Sequence, residues 1–115
     1  MNLTYDMLVK KRACGSGLEY FKKHFKDGTD IWEVIKHLEE IKISKEWAFW
    51  LFRNFKLTGI CRNWYSNGTL WHENNYENGI FDGVCKSWYS NGILAYEYNY
   101  KNGLKEIIYI NKEVE

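Results

Sequence analysis

Hydrophobic and polar positions change period midway along the chain. Up to about residue 57 the apolar residues recur every three to four positions, the signature of amphipathic helices. Leu18, Phe21 and Phe25 lie at i, i+3 and i+7, and Ile31, Val34, Ile35, Leu38 and Ile41 mark a clearer stripe. Thr4 is a plausible N-cap ahead of Met7 and Leu8. Thr29 or Asp30 suits the start of the third helix, after a Lys26–Thr29 turn, and Ser44 that of a fourth. The segment from Trp47 to Phe55 is apolar on most sides, so it is expected in the core. Beyond residue 57 the helical period gives way to short runs rich in Tyr, Trp, Ile and Val, separated by Asn-Gly pairs at 67–68, 78–79, 91–92 and 102–103. Asn-Gly favours a two-residue type I′ hairpin turn, because both residues tolerate positive φ. The pattern predicts five antiparallel strands near 58–66, 69–77, 80–90, 93–101 and 104–111. The expected class is α+β: a helical subdomain over 1–57, with three or four short helices, followed by a five-stranded meander over 58–115.

The second half is also an internal repeat. Residues 59–82 and 83–106 align without gaps, and 13 of the 24 aligned positions are identical. Among them are the whole word Trp-Tyr-Ser-Asn-Gly (64–68 and 88–92), Cys61/Cys85, Leu70/Leu94 and Glu73/Glu97. A unit this short cannot bury its own face, so the helices are expected to cover part of the sheet.

Two-residue turns would set the register. They pair Tyr65 with Leu70, Trp64 with Trp71, Arg62 with Glu73, Tyr89 with Leu94, Trp88 with Ala95 and Lys86 with Glu97. Alternation then puts Cys61, Tyr65, Leu70, Tyr76, Phe81, Cys85, Tyr89, Leu94, the tyrosines at 96, 98 and 100, Ile107 and Tyr109 on one face, the one expected to receive the helices. The other face takes Ile60, Arg62, Trp64, Trp71, Glu73, Val84, Lys86, Trp88, Glu97 and Ile108.

The aromatic, Tyr, Asn-Gly, Leu, Glu and Asn-Tyr-x-Asn-Gly pattern over about Leu57–Ile110 resembles the MORN-repeat variant, found in bacterial proteins described as antitoxin-like. The front half, with "ACGSGLEYFKKHF" and "WAFWLF", is similar to a small helical module of phage and bacterial proteins. The resemblance implies a non-catalytic binder of another protein, in one of two settings. One is an antitoxin acting on a toxin; the other is a phage-encoded inhibitor of a bacterial defence effector, such as an anti-CRISPR. Trp64, Trp71 and Trp88, with Arg62 and Lys86, are the candidate contact patch, because large aromatics dominate binding hot spots. The open edge at 104–111, with Ile108, Tyr109 and Ile110, invites pairing with a partner or with a second copy as a homodimer.

Composition narrows the alternatives. Net charge is only +1, with +3 over residues 1–57 and −2 over 58–115, which argues against nucleic acid. An aromatic sheet face stacking on bases is retained as an alternative reading. Apolar runs fall far short of the roughly 20 residues of a membrane span. The N-terminal charges follow the apolar residues, the wrong order for a secretory signal. With three Cys, an odd number, this points to a reducing, cytoplasmic location. No basic cluster beyond Lys10–Arg12 favours a membrane surface. Cys61, His72 and Cys85 are the remaining chemical candidates. The turn-set register puts His72 opposite Cys85 on the Cys61 face, the basis of a second alternative: a metal site or a Cys–His enzyme. A fourth ligand, an orienting acid and an oxyanion loop are all missing from that set. The expectation is therefore no catalytic residue, no metal and no cofactor. Asp27-Gly28 reads as a turn, not a phosphate cradle, and no phosphate-binding glycine motif occurs.

Overall fold

Thr4 starts the first helix as its spacing suggests: its Oγ1 accepts the Met7 N–H at 3.2 Å. The computed structural model describes residues 1–26 and 28–112; the 26–29 turn expectation therefore falls in part outside the described residues, at Asp27. The elements run β1 (Asn2–Leu3), α1 (Tyr5–Lys10), α2 (Gly15–Phe25), β2 (Thr29–Asp30), α3 (Ile31–Glu40), α4 (Trp47–Asn54), β3 (Gly59–Trp64), β4 (Leu70–Glu77), β5 (Ile80–Trp88), β6 (Leu94–Lys101) and β7 (Leu104–Ile110). Four helices precede a five-stranded antiparallel meander, an α+β fold.

The chain divides into two compact units, Met1–Ile41 and Lys42–Glu115. The 57/58 boundary read from periodicity marks the change from helix to strand. The compact units part earlier, because α4 packs with the sheet that follows it.

In the first unit, β1 and β2 form a two-stranded ladder that periodicity does not reveal, with Leu3 opposite Thr29. Leu3, Leu8, Phe21, Ile31, Val34, Ile35 and Leu38 are buried. Asp30 rather than Thr29 caps α3, accepting the Trp32 N–H at 3.0 Å.

In the second unit, α4 begins at Trp47 with no side-chain cap bond, so Ser44 is not its cap. The helix turns Ala48, Leu51 and Phe52 inward. Phe52 and Phe49 meet Tyr76 at ring distances of 5.3 and 6.0 Å, and Phe49 reaches Phe81 at 6.3 Å. The sheet order is β3-β4-β5-β6-β7, each strand pairing with the next.

The four Tyr-x-Asn-Gly words make two kinds of turn. At 78–79 and 102–103 both residues take positive φ (51° and 79°; 53° and 77°), as type I′ requires. At 67–68 and 91–92 only the glycines do, at 87° and 89°. There the Gly68 N–H donates to the Tyr65 carbonyl at 3.0 Å, and the Tyr65 N–H to the Thr69 carbonyl at 2.8 Å. This is a three-residue loop closed by a glycine bulge. The second copy repeats it, with Gly92 donating to Tyr89 and Tyr89 to Ile93.

These loops overturn part of the turn-derived register. Trp64 lies opposite Leu70, not Trp71, and Trp88 opposite Leu94, not Ala95. A second irregularity leaves Trp71 and Ala95 as extra residues and restores Arg62 opposite Glu73 and Lys86 opposite Glu97. Between β4 and β5 the register slips by two residues, so Cys85 lies opposite Asn74 and His72 opposite Ser87. The Asn75 side chain spans that slip, donating to the Val84 carbonyl at 2.6 Å.

Candidate binding surface

The corrected register lines up two rows on the inner face of the sheet. One runs Cys61–Asn74–Cys85–Tyr98–Ile107, the other Asn63–His72–Ser87–Tyr96–Ile110. Over β3, β4 and β5 the rows are buried at Cys61, Asn63, Asn74, Cys85 and Ser87. Over β6 and β7 they are half-buried at Tyr96 and Tyr98 and exposed at Ile107 and Ile110. Tyr96 stacks on Tyr98 at 4.5 Å, Tyr98 meets Tyr100 edge-on at 6.4 Å, and Lys105 Nζ sits 4.5 Å over the Tyr98 ring.

The outer face carries a charge row: Arg62–Glu73–Lys86–Glu97, ending at Tyr109 on the edge strand. Opposite charges alternate strand by strand. Arg62 Nε donates to Glu73 Oε2 at 2.9 Å, with both side chains 30% exposed. At that exposure such a pair contributes about 0.2–1 kcal/mol. Arg62 thus has a structural role in sheet pairing, and Lys86 stands between Glu73 and Glu97 in the row. Trp64 and Trp88 follow them on the same strands, and Lys42 Nζ stands 5.2 Å over the Trp64 ring.

The bulge separates Trp71 from the other two tryptophans. Its ring lies 5.3 Å from Tyr65 and 4.5 Å from His72, among the inner-face aromatics. Trp64, Trp71 and Trp88 therefore do not form one patch. Tyr65, Tyr96, Tyr98 and Tyr100 join Trp71 instead. The one signal for this grouping is the second repeat itself, which carries Tyr96 and Tyr98 where the first has His72 and Asn74. Tyr109 also changes sides: a one-residue bulge at Ile108 places it opposite Glu97 rather than on the inner face.

The repeated word has a direct structural use. The Tyr65 hydroxyl donates to the Trp88 carbonyl at 2.7 Å, and the Asn67 side-chain amide to the Ser90 carbonyl at 2.9 Å. Asn67 Oδ1 also accepts the Thr69 N–H at 2.9 Å, as Asn91 does from Ile93 at 3.0 Å. One loop is thereby clipped to the next, which orients Tyr65 and its neighbour Trp71.

Burial governs the ionisable groups here. It raises the pKa of Tyr65, with help from Tyr96 and Tyr89, and likewise of Tyr96 and Tyr100. Tyr76 is pushed up furthest by its burial. Burial also raises the Cys85 thiol, which keeps it protonated and weakly nucleophilic. Among the described residues no three His, Cys, Asp or Glu side chains converge as a metal site. His72 is paired across the strands with Asn63 and Ser87 rather than with Cys85.

Burial lowers the pKa of His72; Glu46 and the Lys86 backbone oppose the shift without cancelling it. The unfolded chain therefore binds a proton more readily at this position, and stability falls as pH drops below the ordinary histidine value of about 6.5. Urea midpoints measured from pH 7.5 to 5.5 are expected to decline for the wild type. The decline should be shallower for His72→Phe; equal slopes would show that His72 is not the source.

The family model described as "MORN repeat variant" matches residues 57–78 and 81–102. Each match covers one hairpin closed by a Trp-Tyr-Ser-Asn-Gly loop: β3–β4 in the first and β5–β6 in the second. No curated protein and no solved structure matches the chain. Repeats of this kind generally serve as binding modules for proteins or membranes. Among the described residues no helix is long and apolar enough to cross a membrane.

Proposed function

We propose that the protein is a non-catalytic binding module that acts by occupying another protein in the cytoplasm. The observation that carries this reading is the half-exposed aromatic platform of Tyr65, Trp71, Tyr96, Tyr98 and Tyr100 on a hydrogen-bonded hairpin ladder. Rings held this way lose little conformational freedom on binding, so they contribute contact area at low entropic cost. A buried, protonated Cys85, with His72 one pair along the register rather than directly opposite it, supports a role without bond-making. The resemblance of the repeats to antitoxin-like proteins favours a toxin or a bacterial defence effector as the partner, and inhibition as the outcome. In the second case the protein is a phage-encoded, anti-CRISPR-like inhibitor. Trp64 and Trp88, beside Arg62 and Lys86, form a second contact surface on the opposite face, and the exposed Ile108, Tyr109 and Ile110 a third at the edge.

Affinity capture from the host cell, with the retained protein identified and its inhibition measured, tests this reading. Trp71→Ala and Tyr98→Ala are expected to weaken binding at least about 30-fold, the loss of a hot-spot residue. Trp64→Ala and Trp88→Ala report on the other face. Folded variants at all four positions with undiminished capture and inhibition would refute the aromatic-surface assignment.

A further inference from the structure

We infer that the chain forms a two-fold symmetric dimer by antiparallel pairing of β7 with β7 of a second copy, about an axis between Ile107 and Ile108. Among the described residues β7 pairs only with β6, which leaves its outer backbone groups open. All seven of its residues are exposed, with Leu104 at 76%, Ile107 at 57% and Ile108 at 51%. Monomeric proteins commonly protect such an edge with proline or charge along it. Here there is no proline, and Lys105 and Glu106 lie at one end only.

The bulge at Ile108 selects the occupant. Tyr100 opposes Lys105 and Tyr98 opposes Ile107, so 105 and 107 lie on the inner face. Past the extra residue the phase inverts: Tyr109, opposite Glu97, is on the outer face and Ile110, opposite Tyr96, on the inner. A regular foreign strand laid along this edge would match faces over one half and mismatch them over the other. A second copy running antiparallel carries its own extra residue at the same place and stays in step over both. The register that matches faces pairs Lys105 with Ile110, Glu106 with Tyr109 and Ile107 with Ile108 of the other copy. It sets no like charges directly opposite, gives the Glu106 carboxylate a phenol donor across the interface, and gathers four isoleucines at the axis. The two sheets join into one of ten strands, and closure about the two-fold leaves no open end to propagate. This inference uses none of the residues of the aromatic platform, and it assigns the edge contact of Ile108, Tyr109 and Ile110 to a second copy in place of the partner protein.

Light scattering on the purified chain over a range of concentrations gives the first test. The expected mass is twice the 13.9 kDa of one chain. Ile107→Lys/Ile108→Lys should return it to one chain with an unchanged circular dichroism spectrum. A wild type that stays at one chain mass at the highest concentration overturns the proposal, as does a folded lysine variant that remains dimeric. Register is tested by oxidation of Glu106→Cys/Tyr109→Cys, in a Cys14→Ser background because Cys14 is exposed. This variant should give a covalent dimer that Glu106→Cys/Ile110→Cys, with its thiols on opposite faces, does not. The reverse pattern overturns the pairing.

Discussion

Phe52→Ala should lower the unfolding free energy by about 3–5 kcal/mol, the usual cost of deleting a fully buried aromatic ring. Phe52 is 0% exposed and packs on Tyr76, whose hydroxyl is itself buried without a hydrogen-bond partner among the described residues. Truncation removes the nearer of the two α4 rings that meet Tyr76 and leaves a cavity beside the Tyr76 ring. A domain of this size has about 5–15 kcal/mol of stability to lose, so the effect is a large fraction of the total. Urea unfolding followed by circular dichroism reads it directly. Phe52→Leu, which keeps most of the volume, should cost much less. A loss below about 1 kcal/mol for the alanine variant would mean that α4 is not packed on the sheet as described.

Gly79→Ala should be more damaging than Gly103→Ala, although the two glycines occupy the same turn type. Their φ angles are 79° and 77°, so both substitutions incur the left-handed strain of about 1–2 kcal/mol. The surroundings differ. A Cβ on Gly103 meets nothing within 4 Å, whereas one on Gly79 would lie 3.0 Å from Lys56 Cα, 3.0 Å from the Phe52 carbonyl oxygen and 3.1 Å from that of Arg53. These are backbone atoms and cannot swing aside. The turn is also tied down there, with the Gly79 N–H on the Leu57 carbonyl at 2.9 Å and the Asn78 N–H on Thr58 Oγ1 at 3.0 Å. The difference between the two variants should be about 1–3 kcal/mol, the usual cost of overpacking. Equal losses would show that the first type I′ turn does not rest on the end of α4.

The features legible in the sequence were those carried by local chemistry. Thr4 and Asp30 are short polar side chains ahead of apolar stripes, and both cap helices. Four Tyr-x-Asn-Gly words divide five strands. Arg62 and Lys86 found Glu73 and Glu97 because two compensating irregularities leave that row in place. The misreadings arose where one residue of slip reverses a side chain. The same Asn-Gly pair closes a two-residue turn after Glu77 and, together with Ser66, a three-residue loop after Tyr65, and the tetrapeptides alone do not separate the two. From that one difference followed the misplacement of Trp71, and with it the patch of three tryptophans.

What the sequence determined by itself is the architecture: helices, then a duplicated hairpin, because periodicity and turn residues act within a few positions of each other. Tertiary structure alone decided which aromatics share a face, where α4 belongs, and which way Tyr109 points. Those outcomes depend on bulges, and a bulge is settled by the hydrogen bonds and packing of neighbouring strands. Tyr65 reaching the Trp88 carbonyl and Asn75 bridging to Val84 are contacts of this kind, and no periodicity within a single strand encodes them.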